Sequence, residues 1–445
     1  MAALPELATD VAMKLALIGG GGARTPLLVN GLIRSDLPIR EISLYDPDRS
    51  RLALMTNLAR TRAGSVALTA ADTAADAVTG ADFVFISIRV GGIAARAHDE
   101  ATALAHGIVG QETVGPGGFA KAMRTVPHVV AYAREVQAHA PGAWIINFTN
   151  PVGIVTQAVR TATGARVIGI CDTPTELYEE VRHALDVPST DSYVDYFGLN
   201  HLGWIREVYH RGEPQLHRLW QEPERLARIY RSPLFAREFL EKLRLLPTEY
   251  VYYYYRSAEA YANVVRTGTS RARVIESLNR QLFADLAGLS QDPVNVYENY
   301  IAARDAGYMQ IESGSAAPRL KSPWAEVTGY DRIAVNTVRG IHFDSNAIMP
   351  LNVLNRGNLP DLADEDVIEV PCVVNGAGAL PLHSGAVPEA VRSLLVQVKE
   401  YERLTVGAAL SGERDAAIQA LARNPLVPDV ATAERLVSAL VLESA

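Results

Sequence analysis

A short apolar run that ends in four consecutive glycines constrains the fold of this chain more than any other feature. Residues 13–19 (MKLALIG) have the length and apolar character of a buried strand, and residues 25–34 have the pattern of a helix. The glycines at 19–22 therefore lie where a strand turns into a helix. Because glycine lacks a Cβ atom, such a turn lets peptide N–H groups approach a phosphate at the start of the helix. The pattern predicts a strand–turn–helix unit that binds a phosphorylated ligand.

The alternation of strands and helices continues through the first half of the chain. Further short runs that are apolar and rich in β-branched residues occupy residues 41–46, 81–88, 143–148 and 167–170. Strands that alternate with helices are typical of a parallel sheet covered by helices on both faces. Several of these runs end in polar residues or glycine, so we expect their loops to gather at one edge of the sheet. Open α/β sheets bind their ligands at that edge.

The pattern changes after about residue 195. Two strand-like runs are followed there by long amphipathic helical stretches, with no internal repeat and no low-complexity linker. At 445 residues the chain is also longer than one hydrophobic core usually organises. We therefore predict an α/β protein with two domains. The first, residues 12–195, is a Rossmann-type parallel-sheet domain, and the second, residues 196–445, is a mixed α/β (α+β) domain.

The glycine turn and one acidic residue together fit the binding of a dinucleotide. Asp46 ends the second predicted strand, 25 residues after Gly21, near the spacing at which an acid binds the ribose hydroxyls. An acid rather than an arginine at this place favours NAD over NADP. The usual G-x-G-x-x-G pattern is incomplete, because Arg24 occupies the third glycine position. A plain tight turn is the alternative interpretation.

Composition argues against several classes of function. The formal net charge is −8, and no basic run of the kind that binds nucleic acid or an anionic membrane surface occurs. The apolar runs have strand length, well short of a membrane span. The N-terminus lacks the pattern of a signal peptide, and the two cysteines, Cys171 and Cys372, lie far apart in sequence. We therefore expect a cytoplasmic protein that binds neither nucleic acid nor a membrane.

A thiol and an imidazole follow predicted strands and form a candidate metal pair. Cys171 and Asp172 come directly after the strand at 167–170, and His201 lies 30 residues beyond Cys171 in the segment GLNHLGW. Two such groups can share a metal ion and leave coordination positions open for substrate oxygens. By themselves they suit zinc or another late transition metal better than manganese. A buried structural cysteine and a hydrogen-bonded core histidine are the more common alternative.

Four further polar positions are candidates for a substrate site. Asn147 and Asn150 flank FT in the segment NFTNP, directly after a strand, where carboxamides can bind sugar hydroxyls or merely cap the next helix. Tyr250 opens the run YVYYYY, which is typical of a strand or helix with one buried face. Arg271 follows a GTS turn and can bind a phosphate, although a solvated or paired arginine is commoner at any single position.

Considered together, these segments resemble glycoside hydrolase family 4, the NAD- and manganese-dependent glycosidases, and most closely its 6-phospho-β-glucosidases. The resemblance spans most of the chain in order and is carried by the segments GGGGARTP, IRVGGIAAR, IVGQETVGPGGFAKAMRTVP, NFTNPVGIVTQA, GICDTP, GLNHLGW, LPTEYVYYYY, GTSRA, IEVPCVV and NPLVP. The stretch from residue 110 to residue 127 is long and chemically unusual, which makes the resemblance specific.

The resemblance implies a role for each matching position. Cys171 and His201 would bind the metal, Mn²⁺ or another divalent ion, and Tyr250 would be the catalytic base. The positions that would contact the sugar are Arg96, Glu112 and Asn150, and Arg271 would bind the 6-phosphate. The positions that would bind NAD are Gly19, Gly20, Gly21, Gly22, Ala23, Arg24, Asp46 and Arg89. Assembly into a homodimer or homotetramer is also implied.

The chemistry implied by the resemblance is unusual for a glycosidase, because this family needs no pair of catalytic carboxylates. It proceeds by NAD-dependent oxidation at C3 of the sugar, deprotonation at C2, elimination of the leaving group and addition of water. The cofactor is regenerated in each turnover.

One tetrapeptide departs from the β-type pattern. The sequence from Cys171 to Pro174 is CDTP, whereas β-type members typically have CNVP and α-type members CDMP. In the α-type enzymes the aspartate is thought to protonate the leaving oxygen, so Asp172 is a candidate catalytic residue and favours α-linkages. The remaining segments resemble the β-type, and on that basis we predict a 6-phospho-β-glucosidase, with a 6-phospho-α-glucosidase as the alternative.

Two other classes of protein remain as alternatives. The fold and the NFTNP segment also resemble lactate and malate dehydrogenases, so a hydroxy-acid dehydrogenase is one of them. The other is a regulator that binds NAD or a sugar phosphate without catalysis. Such a regulator is expected to have lost Tyr250 or Cys171, and both are present.

Overall fold

The computed structural model describes residues 12–230, 234–288, 292–314 and 329–441, and its main feature is a nine-stranded sheet. Across the sheet the strands follow the order β13-β12-β11-β6-β5-β4-β1-β2-β3. The strands of the chain are β1 (Met13–Ile18), β2 (Ile39–Tyr45), β3 (Ala67–Ala70), β4 (Phe83–Ile86), β5 (Trp144–Asn147), β6 (Val167–Gly169), β7 (Ser192–Leu199), β8 (Leu202–His210), β9 (Glu213–Pro214), β10 (Leu246–Pro247), β11 (Ala347–Leu354), β12 (Val367–Asn375) and β13 (Gly378–Pro381).

Strands β1 to β6 form the parallel part of the sheet. They lie in the order β3-β2-β1-β4-β5-β6, which is the strand order of dinucleotide-binding folds. All four residues of β4 and five of the six in β1 are buried, as expected for strands with helices on both faces. The order reverses between β1 and β4, so the loops after these two strands open a crevice at their carboxyl ends. The predicted Rossmann-type sheet is confirmed.

Three antiparallel strands from the distant C-terminal part extend the same sheet. Strand β11 lies beside β6, β12 pairs with β11 over eight residue pairs, and β13 pairs with β12. These strands come from beyond residue 195, so the large sheet contains residues from both sides of the predicted domain boundary. The division into residues 12–195 and 196–445 stays a prediction, and residues 442–445 lie outside the described part of the chain.

A second, smaller sheet and most of the helices build the remainder. Strands β7 and β8 form an antiparallel hairpin, and β8 also pairs with β9 and β10. The helices are α1 (Thr25–Ile33), α2 (Arg49–Arg60), α3 (Ala74–Val78), α4 (Gly92–Ala105), α5 (Gly115–His139), α6 (Val152–Thr163), α7 (Thr173–Leu185), α8 (His217–Gln221), α9 (Pro223–Leu226), α10 (Arg237–Leu243), α11 (Tyr252–Tyr255), α12 (Ser257–Thr267), α13 (Arg271–Gly288), α14 (Pro293–Ala306), α15 (Gln310–Ser313), α16 (Gly329–His342), α17 (Glu389–Ser411), α18 (Arg414–Arg423) and α19 (Val430–Val441). The tyrosine run therefore lies in a helix.

One continuous hydrophobic core joins the sheet to the helices on its two faces. It includes Leu15 and Phe85 of the parallel strands, Val370 of β12 and Leu395 of α17, all of them at most 1% exposed. Apolar contacts thus run from the first strand of the chain to its C-terminal helices. Within the described ranges, no helix has both the length and the apolar character needed to cross a bilayer.

Candidate active site

A cavity of about 990 Å³ opens at the carboxyl ends of β1, β2, β4, β5 and β6. Its walls also include residues of α13, α14 and the one-turn helix Glu249–Val251. The predicted site residues that line it are Gly19, Gly21, Gly22, Ala23, Arg24, Asp46, Arg89, Arg96, Glu112, Asn150, Cys171, Asp172, His201, Tyr250 and Arg271. Gly20 and Asn147 lie outside this lining. Gly20 faces the interior, where an added Cβ would lie 3.0 Å from Leu44 and from Leu52, and the buried Asn147 side chain donates to Thr156 at 3.1 Å.

The glycine turn brings the backbone of β1 close to its neighbours. Gly19 has a φ of +100°, and a Cβ atom there would lie 2.2 Å from the backbone oxygen of Ser87. At Gly21 an added Cβ would meet the carboxylate of Asp46 at 2.9 Å. Larger residues would fill this cradle between the sheet and α1, so the turn fits the pyrophosphate of a dinucleotide.

Asp46 is held at the end of β2 by two backbone hydrogen bonds. Its Oδ2 accepts from the N–H of Gly21 at 3.0 Å, and its Oδ1 accepts from the N–H of Asp48 at 2.9 Å. Burial raises the pKa of the Asp46 carboxyl, and these N–H groups act in the opposite direction. The carboxylate thus lies beside the glycine turn, which is the arrangement that binds ribose hydroxyls in such folds.

Cys171 and His201 meet at the base of the cavity. The Sγ atom of Cys171 and the Nε2 atom of His201 are 3.5 Å apart, and both side chains are 4% exposed. Metal bonds of about 2.0–2.3 Å at angles of about 90–110° would place two such donor atoms about 3.1–3.6 Å apart. The pair therefore fits one shared cation. Among the described residues no cluster of three or more His, Cys, Asp or Glu has metal-binding geometry, so this pair leaves positions open for other oxygens.

Burial sets the protonation of both members of the pair before a cation binds. It lowers the pKa of His201 to about 3, so the ring is neutral. It also raises the pKa of the Cys171 thiol well above its usual value, and the nearby Glu369 and Asp172 act in the same direction. A cation bound here must therefore displace the thiol proton.

A buried carboxylate from the C-terminal strands holds the turn that carries His201. His201 has a left-handed φ of +62° between β7 and β8. Glu369 of β12 accepts hydrogen bonds from Tyr196 at 2.7 Å, from Asn352 at 2.8 Å and from Asn200 at 3.2 Å. Burial raises the pKa of Glu369 to about 7, while these three donors lower it. The residue before His201 is thereby fixed to the large sheet.

Tyr250 stacks directly on His201. The two ring centroids are 3.8 Å apart and the rings are within 4° of parallel. The Tyr250 hydroxyl lies 3.3 Å from that of Tyr308, which in turn donates to Glu249. Burial, followed by the charge of Glu249, raises the pKa of Tyr250 well above its usual value. A divalent cation at the Cys171–His201 pair would act in the opposite direction.

Three cationic side chains surround Glu112 in the wall of the cavity, and two of them, Arg96 and Lys121, are buried. Its oxygens lie 2.5 Å from Arg89, 3.0 Å from Arg96 and 3.1 Å from Lys121. Burial alone would raise the pKa of Glu112, but the three cations hold it well below its usual value. Burial, followed by the charge of Arg89, lowers the pKa of Lys121 to about 7. We did not predict Lys121 from the sequence, although a lysine within the apolar segment GGFAKAM was a usable signal.

Two polar side chains in the cavity wall offer unsatisfied atoms. Nη2 of Arg271, at the start of α13, donates to the backbone oxygen of Arg304, while Nη1 is buried and has no hydrogen-bond partner in the described residues. The same holds for Oδ1 of Asn150. Buried polar atoms of this kind normally have partners, so a polar ligand is expected to supply them.

Asp172 borders the cavity next to Cys171. Its Oδ2 lies 3.8 Å from Arg24, and Arg24 also packs over the ring of Tyr330 with its guanidinium carbon 4.6 Å from the ring centroid. The side chain of Asp172 is 27% exposed and that of Arg24 is 39% exposed, so this ion pair lies at the rim and not at the base of the cavity.

The fold and the cavity together define the class of protein. A dinucleotide-type sheet whose ligand edge also holds a thiol–imidazole pair and a stacked tyrosine is the framework of a cofactor-dependent enzyme. The family is shown by comparison: the chain belongs to the family 4 glycosyl hydrolases. Residues 14–187 match the model "Family 4 glycosyl hydrolase", and residues 196–427 match "Family 4 glycosyl hydrolase C-terminal domain". The resemblance seen in the sequence is thus confirmed.

Relatives and solved structures extend over nearly the whole chain. A probable 6-phospho-beta-glucosidase of Bacillus subtilis is 32% identical, and the alignment covers 96% of this chain and 96% of the relative. The structure of the 6-phospho-beta glucosidase of Thermotoga maritima with NAD and glucose-6-phosphate is 30% identical, has a TM-score of 0.82, and covers 97% of this chain and 98% of its own. A 6-phospho-alpha-glucosidase from gut microorganisms, with the same two ligands, is 28% identical at a TM-score of 0.81 and equal coverage.

The similarity to dehydrogenases is limited to the fold. A lactate dehydrogenase from a deep-sea metagenome library has a TM-score of 0.55 and 15% identity, over 90% of this chain and 99% of its own. The predicted dehydrogenase-like architecture is confirmed by this likeness. At such low identity it carries no information about the reaction.

Proposed function

We propose that this protein hydrolyses 6-phospho-β-glucosides, with NAD and a divalent cation such as Mn²⁺ as cofactors. The observation that carries the proposal is that one cavity contains the glycine turn with Asp46, the Cys171–His201 pair under Tyr250, and Arg271. Relatives of the same family support it, because one of their structures contains manganese, NAD⁺ and glucose-6-phosphate together.

Each part of the cavity has a separate task in this proposal. Asp46 and the glycine turn bind the ribose and the pyrophosphate, which directs the nicotinamide into the cavity. Arg271 binds the 6-phosphate through charge-assisted hydrogen bonds. Asn150 binds a sugar hydroxyl through its unsatisfied oxygen, and Glu112 accepts from another while its three cations keep it ionised. The sugar is thereby held with its reacting carbons above Cys171 and His201.

Tyr250 is the proposed base. When bound, NAD⁺ supplies a reversible hydride acceptor for C3 of the sugar, and the cation supplies positive charge that acidifies the proton on C2. The Tyr250 ring stacks on the His201 ring, and its oxygen, as the phenolate that a bound cation would favour, accepts the C2 proton. Tyr308 and Glu249 continue the chain of hydroxyl and carboxylate groups from Tyr250, so they orient its oxygen.

The β-linkage is proposed because of the relatives. Those named 6-phospho-beta-glucosidase are 30–32% identical to this chain, and those that act on α-linked substrates by name are 26–28% identical. One residue favours the alternative, a 6-phospho-α-glucosidase, because Asp172 supplies a carboxyl group beside Cys171 in the cavity wall. If the linkage is α, Asp172 is the proposed acid for the leaving oxygen.

The test uses paired p-nitrophenyl α- and β-glucoside 6-phosphates with NAD⁺, Mn²⁺ and a thiol reductant. We expect faster release of nitrophenol from the β-anomer, no accumulation of NADH, and deuterium at C2 of the sugar phosphate after turnover in deuterated water. Preference for the α-anomer would replace the β-assignment. A product with only protium at C2 would falsify the elimination chemistry, and net NADH formation from a hydroxy acid would favour a dehydrogenase instead.

A further inference from the structure

Gln111 and Thr113, on either side of Glu112 in the sequence, lie at the Nδ1 side of the His201 ring and take no part in the roles described above. The Nδ1 atom of His201 lies 2.9 Å from the hydroxyl oxygen of Thr113, and that oxygen lies 2.8 Å from Oε1 of Gln111. We propose that Gln111 and Thr113 form a relay that keeps the hydrogen of the His201 ring on Nδ1 and leaves Nε2 free to bind the cation. The inference rests on the proposed function for the identity of that ligand.

The first step of the relay fixes the orientation of the Gln111 amide. Its Oε1 atom accepts from the backbone N–H of Thr113 at 2.5 Å and from that of Val114 at 2.9 Å. A backbone N–H group can only donate, so the atom that faces both groups must be the carbonyl oxygen and not the NH₂ group. The side chain is 6% exposed, so water does not compete for this position.

The second step assigns the one hydrogen of the Thr113 hydroxyl. A carbonyl oxygen has no hydrogen to donate, so the hydroxyl must be the donor in the 2.8 Å contact with Gln111. The hydroxyl oxygen then has only lone pairs left for its second contact. Thr113 is 8% exposed, and the segment that carries it leads directly into α5, so its geometry is held by packing.

The third step assigns the ring of His201. Because the Thr113 oxygen can only accept in the 2.9 Å contact, Nδ1 of His201 must carry the hydrogen. A neutral imidazole has one ring hydrogen, so Nε2 keeps its lone pair. That atom is the one that lies 3.5 Å from the Sγ of Cys171. The lone pair therefore points toward the site at which the two side chains would share a cation.

Thr113 and Gln111 thus act as positioning residues through His201. A ligating histidine usually donates its second ring N–H to a protein acceptor, which fixes both the tautomer and the ring plane. Here the acceptor is the Thr113 hydroxyl, which can only accept from His201 because it donates its own hydrogen to the amide oxygen of Gln111. The relay also gives a role to two residues of the sequence QETV at positions 111–114. Of these four residues, Glu112 contacts the cationic side chains, whereas Gln111 and Thr113 act on His201.

The experiment removes the hydroxyl and keeps the shape of the side chain. Thr113→Val should weaken Mn²⁺ binding, measured by titration calorimetry with NAD present, by about 10–100-fold. Thr113→Ser should restore it. Thr125→Val is the matched control, because Thr125 of α5 is 0% exposed, its hydroxyl has no partner in the described residues, and it lies outside the cavity wall. Neither Thr125→Val nor Thr113→Val should change the affinity for NAD.

The tautomer of His201 can also be measured directly, in an experiment that does not depend on whether a Thr113 variant folds. Magic-angle-spinning NMR of metal-free protein with isotope-labelled histidine distinguishes the two tautomers, and His201→Ala identifies the signal. We expect the Nδ1–H form in the wild type. An Nε2–H form, or unchanged Mn²⁺ affinity in Thr113→Val beside a binding wild type, would overturn the relay. A wild type that shows the Nδ1–H form but binds no Mn²⁺ would count against the proposed cofactor and not against the relay.

Discussion

Replacement of Tyr250 by phenylalanine separates its chemistry from its structural contribution. The ring stacks on that of His201 with centroids 3.8 Å apart, and phenylalanine keeps this stack. The hydroxyl that is lost lies 3.3 Å from that of Tyr308, which is long for a bond between two hydroxyl groups. The contribution of such a bond to the free energy of unfolding is at most about 0.5–1.5 kcal/mol.

These magnitudes predict opposite outcomes for rate and for stability. Domains of ordinary stability unfold at a cost of about 5–15 kcal/mol, so a loss of about 1.5 kcal/mol leaves nearly every molecule folded. Loss of a general base lowers the rate by about 10²–10⁴-fold. We therefore expect Tyr250→Phe to lose that factor in turnover of a 6-phosphoglucoside and in exchange of the C2 hydrogen with solvent. Its NAD affinity should stay unchanged.

The assay pairs initial rates and C2 exchange with thermal unfolding. Tyr254→Phe is the matched control, because Tyr254 lies in the same tyrosine run, packs against the hydrophobic core and does not border the cavity. It should keep the wild-type rate. A Tyr250→Phe enzyme within about tenfold of the wild-type rate would refute the role of Tyr250 as the base, since general bases contribute at least about 10²-fold.

The remaining predictions concern the phosphate, the cation and the cofactor. Arg271→Ala should weaken binding of phosphorylated substrate by about 10–150-fold for each charge-assisted hydrogen bond lost. The control is Arg273→Ala, which should have no effect because Arg273 is exposed. Equal Michaelis constants for the two variants would contradict this prediction. Cys171→Ala should abolish calorimetric binding of Mn²⁺ and keep the binding of NAD, and retained Mn²⁺ affinity would exclude Cys171 as a ligand. Asp46→Ala should weaken NAD by about 1.5–3 kcal/mol in fluorescence titration, because charged hydrogen bonds to the ribose are lost, and unchanged affinity would exclude that contact.

Local patterns predicted the parallel sheet and most of the cavity. The glycine turn, Asp46 and Cys171 each follow a strand, so their position at one edge of the sheet follows from the alternation of strands and helices. The family resemblance added the roles of Tyr250 and Arg271, which no periodicity could give.

What the sequence did not predict depends on contacts between distant residues. The pairing of β11 with β6 joins residues 352 and 169, and nothing in the local pattern of either strand specifies the partner. The roles of Thr113 and Glu369 could not be predicted for the same reason, because each contacts the turn around His201 from a distant part of the chain. The low pKa of Lys121 arises from burial beside Arg89, which is also a property of the folded protein alone.

The contact between Glu369 and the turn at His201 has a consequence for how the protein matures during synthesis. The ribosome releases the six parallel strands and the β7–β8 hairpin well before residue 369 emerges, so the hairpin first exists without the carboxylate that holds Asn200. Closing this contact joins residues 169 positions apart, which makes it a slow, late event relative to the local hairpin. The dinucleotide-binding part of the cavity is therefore expected to form first on the nascent chain, and the turn at His201 is fixed only after residue 369 has emerged.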